Sequence, residues 1–73
     1  MKISAANQLK GTILEIKEGA VNGLVILDIG GHQIKSSITM DSIKDLGLEV
    51  GKEAHAVIKS SDVMVAVTHK SLL

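Results

Sequence analysis

From Val21 to Ile29 the chain is apolar on both sides of what its spacing makes a β-strand. The odd positions carry Val21, Val25, Leu27 and Ile29, broken only by Gly23, and the even ones set Leu24 and Ile26 between Asn22 and Asp28. A strand on the surface of a small sheet keeps one face polar, because that face meets water. Val63 to Val67 repeats the pattern, with Val63, Val65 and Val67 on one side and Met64 and Ala66 on the other. A chain of 73 residues makes one domain and cannot cover both faces of such strands by itself. It has no cysteine for a disulfide and no Phe, Tyr or Trp to enlarge a core, yet 45% of it is hydrophobic. Burial against further copies is the remaining source of stability, so the pattern predicts an oligomer.

β-Branched residues and their spacing predict mainly strands. Thr12 to Lys17 is the first, followed by a turn at Glu18-Gly19-Ala20, then Val21 to Ile29. Gly30-Gly31 reads as a tight hairpin, since glycine takes positive φ freely, and His32 to Ile38 returns. Thr39 to Gly47 reads as a short helix, with Thr39 as cap, Asp41 in its first turn and Gly47 closing it. Glu53 to Lys59 and Val63 to Val67 are the last two strands, separated by Ser60-Ser61-Asp62. The order predicts a small five-stranded OB-like barrel with one short helix over residues 1–67, and a C-terminal tail over 68–73 in which Leu72 and Leu73 pack on a neighbour.

Charge and motifs exclude several functions. Eight basic residues, all lysine, balance eight acidic ones. Nucleic-acid binding needs a positive surplus, and single-strand binding needs aromatic platforms, so neither is expected. No run approaches the ~18 apolar residues of a membrane span. Met1-Lys2-Ile3-Ser4 lacks the layout of a signal peptide, and cytoplasmic residence is the expectation. His32, His55 and His69 stand apart with no metal-ligand spacing. With no nucleophile elbow or phosphate loop, no enzyme is expected.

Two serine-bearing segments remain, Ser4-Ala5-Ala6-Asn7-Gln8 and Lys59-Ser60-Ser61-Asp62. A third candidate is Lys17-Glu18-Gly19-Ala20-Val21, with Ser36 and Ser37 on the neighbouring strand. Hydroxyls and free backbone amides converging from turns of small residues suit a tetrahedral dianion. Such turns also commonly satisfy only their own backbone.

Ile3-Ser4-Ala5-Ala6-Asn7-Gln8-Leu9-Lys10-Gly11 resembles the molbindin opening Ile-Ser-Ala-Arg-Asn-Gln-Leu-Lys-Gly. Ile16 to Asn22 resembles that family's first hairpin, Asp41 to Leu48 its helix, and Ala56 to Met64 its closing segment. The resemblance runs in order from Ile3 to Ala66. It implies an OB-like barrel assembled as a homo-hexamer, a trimer of dimers, that stores or buffers molybdate, or tungstate, at subunit interfaces without an organic cofactor. By position, Ser4, Ala5, Ala6, Lys59, Ser60 and Ser61 fall in one oxyanion site, and Gly19, Ala20, Val21 and Ser37 near another. The departure is Ala6, where the family pattern has Arg, so the first site loses a charged, forked donor. The competing reading is an oligomeric regulatory or interaction module whose oxyanion binding is weakened or lost.

Overall fold

The computed structural model describes residues 2–69. Its elements are β1 (Asn7–Lys17), β2 (Asn22–Ile29), β3 (His32–Thr39), α1 (Met40–Asp45), β4 (Glu53–Ile58) and a 3-10 turn at Ser60–Asp62. The strands form one antiparallel sheet in the order β3-β2-β1-β4.

β1 is the spine. Its second half pairs with β2 from Thr12↔Asp28 to Lys17↔Leu24, and its first half pairs with β4 from Asn7↔Ile58 to Thr12↔Glu53. The strand therefore begins five residues before the expected Thr12. Asn7-Gln8-Leu9-Lys10-Gly11 has weak β-character, and its extended form comes from the long-range ladder with β4. The β1–β2 register shifts between Ile13 and Glu15, a bulge at Leu14 that bends the strand. Ile13 meanwhile receives the amide of Gly51 at 2.8 Å and donates to the carbonyl of Lys52 at 2.9 Å. Gly11 is demanded by space, since a Cβ there would meet the Asp28 carbonyl oxygen at 2.5 Å.

The Gly30-Gly31 hairpin is formed as expected, with φ of 59° and 94°. Asp28 Oδ1 accepts from the Gly31 amide at 3.0 Å. Thr39 caps α1 through Oγ1, which accepts from the Ser42 amide at 3.1 Å. Gly47, with φ of 64°, ends that turn as Leu48 donates to the Ile43 carbonyl at 3.1 Å. The helix lies over Gly23, where an added Cβ would stand 2.6 Å from Ile43 Cδ1 and 2.8 Å from Met40 Sδ. Ile13, Val25, Leu27 and Ile43 make the buried core, joined at its edge by Ile16, Ile29, Ile38, Met40, Leu48 and Ala54.

One expectation fails. Residues 63–67 are no fifth strand, and among the described residues the sheet has four strands rather than five. A strand exists through its ladder, and this segment has no ladder partner among the described residues. Met64 is 94% exposed, Val65 89% and Val67 87%. The sheet curls into an open half-barrel whose edge strands, β3 and β4, face each other across an apolar cleft of about 760 Å³. Ile34 and Ile38 line it from β3, Ala54, Ala56 and Ile58 from β4, and Val25 and Leu27 form its floor. The expected packing of Leu72 and Leu73 lies outside the described residues.

Candidate functional site

The first serine segment enters β1 and the second leaves β4, and the ladder brings them together. Asn7↔Ile58 is its last pair, so Ala6 and Lys59, the residues leading from the two serine segments, stand at the same end of the ladder. Asn7 Nδ2 donates to the Ile58 carbonyl at 3.2 Å and ties the two chains there. Gln8 Nε2 donates to the Ala5 carbonyl at 3.4 Å and steadies the incoming segment. Sequence reasoning missed both anchors: the Asn7 amide reaches across 51 positions and leaves no local signal, while the Gln8 amide reaches back only three.

Beyond Ile58 the chain turns once. Asp62 donates to the Lys59 carbonyl at 2.9 Å and Val63 to that of Ser60 at 3.3 Å. The amides of Ser60 and Ser61 have no acceptor among the described residues, nor do those of Ser4, Ala5 and Ala6. All the residues of this corner are exposed except Ala5, which is half-buried. Lys59 joins none of the ion pairs of the described residues, which are Lys10–Glu53, Lys17–Glu15 and Lys52–Glu49. The corner thus offers neutral amides and three hydroxyls with one ammonium, and Ala6 supplies no side-chain donor.

The Gly19–Val21 turn lies at the opposite end of β1. Its three amides also have no acceptor among the described residues. Gly19 is required here, since any Cβ would run into the carbonyl oxygen of Asn22. The Val21 carbonyl accepts from the Met40 amide at 2.7 Å, which fixes the turn against the start of α1. Ser37 pairs with Leu24, which pairs with Lys17, so it shares a cross-strand row with the end of β1. Two strand spacings, about 10 Å, separate it from Lys17. Ser36 falls on the other face, half-buried against the cleft. An 11-residue strand separates the corner from the turn, so one chain brings two independent donor sets.

No group of three or more His, Cys, Asp or Glu side chains among the described residues is placed to hold a metal ion. No helix among them is long and apolar enough to cross a membrane. Free amides, hydroxyls and the Lys59 ammonium suit an anion, against which stand the carboxylates of Asp62 in the same turn and of Glu18 beside Gly19.

Comparison with known proteins identifies the family. The model of the TOBE domain matches residues 3–65. A probable molybdenum-pterin-binding protein of Haemophilus influenzae is 54% identical over 68 residues, which are 92% of this chain and 99% of the relative. MopII of Clostridium pasteurianum has the same fold with a TM-score of 0.84 at 48% identity, over 90% of this chain and 100% of that one. A molybdate-binding protein of Sporomusa ovata matches with a TM-score of 0.87 at 36% identity, over 92% of this chain and 100% of that one. From near-complete coverage in sequence and in fold, the chain belongs to the TOBE-domain family and, within it, to the molbindins.

Proposed function

We propose that this chain binds molybdate, with tungstate as a close mimic, at subunit interfaces of a homo-oligomer, and so stores or buffers the anion in the cytoplasm. The carrying observation is the pair of free amide sets at the two ends of β1, one with the hydroxyls of Ser4, Ser60 and Ser61 and the ammonium of Lys59. Relatives described as molybdenum-pterin-binding and molybdate-binding proteins support the choice of ion. The role is binding without catalysis, and without an organic cofactor, since a pterin ring would find no aromatic side chain to stack upon.

Interfaces enter because each donor set is open. A dianion on exposed amides alone remains largely hydrated and weakly held, whereas a second subunit closing over it removes water and adds donors. The half-barrel supports the same reading. It is one strand short, while residues 63–67 present Val63, Met64, Val65 and Val67 to solvent. Each such side chain contributes about 1.5–3 kcal/mol when fully buried. A hexamer built as a trimer of dimers is the assembly we assign.

Molybdate is favoured over sulfate by size. Both are tetrahedral dianions, but the molybdenum–oxygen bonds are longer, and a rigid cage spaced for them leaves donors unpaired around sulfate. The test is native mass spectrometry with molybdate in the presence of excess sulfate. Oligomers that retain molybdate, in counts set by the number of subunits, support the reading. Oligomers that retain none overturn it and leave an assembly module.

A further inference from the structure

We propose that Asn22-Gly23 is a self-modification site, where the Gly23 backbone nitrogen attacks the Asn22 side chain and converts it to aspartate and isoaspartate when the end of β2 opens.

Packing and position create the site together. Gly23 has no room for a side chain, since a Cβ there would stand 2.6 Å from Ile43 Cδ1 and 2.8 Å from Met40 Sδ. A residue without a side chain is also the one whose backbone nitrogen is least screened from a neighbouring carbonyl carbon. Asn22 precedes it, is exposed, and places its carboxamide in no hydrogen bond among the described residues. Asn7, the chain's other asparagine, differs on each count. It is half-buried, its Nδ2 donates to the Ile58 carbonyl at 3.2 Å, and Gln8 follows it.

In the reaction the Gly23 nitrogen bonds to Asn22 Cγ, the Cγ–Nδ2 bond breaks, and ammonia leaves with the proton that the nitrogen gives up. Water then opens the resulting succinimide. Opening at Cγ gives aspartate, and opening at the main-chain carbonyl gives isoaspartate, whose backbone runs through Cβ. Water is the sole co-reactant. Either product adds a negative charge to a chain whose formal net charge is zero. Isoaspartate also inserts an extra backbone atom between Val21, which Met40 holds, and Gly23, on which α1 lies.

The folded strand restrains this chemistry without abolishing it. Ring closure needs the Asn22 ψ outside the extended range that a strand imposes. It also needs the Gly23 nitrogen released from the ladder. Alternate pairs of an antiparallel ladder carry its hydrogen bonds, and Val21 already accepts from Met40, so Gly23↔Ile38 falls on a bonded pair. Yet this end of β2 is held from one side only. Its ladder with β1 stops at Lys17↔Leu24, which leaves Asn22 and Gly23 paired with β3 alone. Strand ends of this kind open at small free-energy cost. The Met40–Val21 bond, at 2.7 Å, is the clasp beside the site.

The test incubates the full chain in mildly alkaline buffer, with and without denaturing urea. Peptide mapping by mass spectrometry locates the change, and an isoaspartate-specific methyltransferase labels the second product. Modification is expected at position 22 and not at Asn7 in the native chain, and about tenfold faster or more in urea. Met40→Pro, which lacks the clasp amide, should react about threefold faster or more than Met40→Ala, because losing that bond favours opening. Asn22→Gln, whose ring would need six members, should stay unchanged. Should Met40→Pro disturb the core, as judged by hydrogen exchange at Ile13 and Val25, urea below the unfolding transition replaces it and should raise the native rate. A native chain that stays intact at Asn22 while the unfolded chain is fully converted overturns the inference. So does equal modification of Asn7. Equal rates in folded and unfolded chains overturn the restraint by the strand, as does a rate that neither loss of the clasp nor mild urea changes.

Discussion

The Met40 amide donates to the carbonyl of Val21 at 2.7 Å, so the first residue of α1 holds the turn that carries the free amides of Gly19, Ala20 and Val21. Two features isolate this bond. Proline is well tolerated at the first helical position. Thr39, with ψ of 151°, already has the extended backbone that a following proline requires. Met40→Pro should therefore keep the helix, yet lose the bond to the Val21 carbonyl, which is exposed, at a cost of about 0.5–1.5 kcal/mol. Met40→Ala also removes the side chain that packs on the core edge but retains the amide, and serves as the comparison. Urea unfolding should separate the two, and molybdate titration should show weaker binding for the proline variant alone.

Gly11 and Gly23 both stand where a side chain has no room, but the obstacles differ. At Gly11 the nearest atoms include a backbone carbonyl, which cannot give way without shifting β2. At Gly23 they are the ends of Ile43 and Met40, which can move. Overpacking costs about 1–3 kcal/mol. Gly11→Ala should fall at or above the top of that range and Gly23→Ala near its bottom. Adding Ile43→Val should recover part of the second loss and none of the first, as thermal melts of the four proteins would reveal.

Ala6 leaves the serine corner without a guanidinium. Ala6→Arg should tighten molybdate binding there by about 1.5–3 kcal/mol, the worth of a hydrogen bond to a charged group. The Gly19 turn, at the far end of β1, should bind as before. Calorimetry would then resolve one strengthened class of sites and one unchanged class. A single unchanged class would refute the role given to this position.

Glu49 has its pKa lowered by a hydrogen bond from Lys52 and by that residue's charge. A carboxyl whose folded pKa is depressed stabilises the fold above its unfolded pKa, and that contribution is lost as pH falls through the folded value. The pair is exposed and screened, so its effect on stability should be small. NMR titration should place the Glu49 midpoint below that of an ordinary glutamate, and Lys52→Ala should raise it. Melting temperatures near neutral pH should hardly differ between the two proteins.

Much of this architecture is legible in the residues because its signals are local. The paired glycines at 30 and 31, the Thr39 cap and the Gly47 closure each act within four positions, and each appears where the sequence places it. The early start of β1 was hidden, since Asn7 to Gly11 becomes a strand only through partners some 40 to 50 positions away. The missing fifth strand has the opposite cause. Alternation in Val63 to Val67 reports a preference for burial in a sheet, and no residue pattern tells which chain's sheet supplies it. For the donor sets, serines and glycine marked the segments, whereas the adjacency of Ala6 to Lys59 follows from ladder register alone.

The division of β1 between two partners also sets an order of events. Its second half meets β2 across a short turn, so the β1–β2–β3 meander closes small loops and can form early. Its first half must wait for β4, and Asn7 finds Ile58 only after 50 intervening residues have been made. On a ribosome the Gly19 turn is therefore in place well before the serine corner. Pulse-labelled hydrogen exchange during refolding should show Val25 and Leu27 protected ahead of Gln8 and Val57. A chain released short of Ile58 would carry the Gly19 donor set without the serine corner.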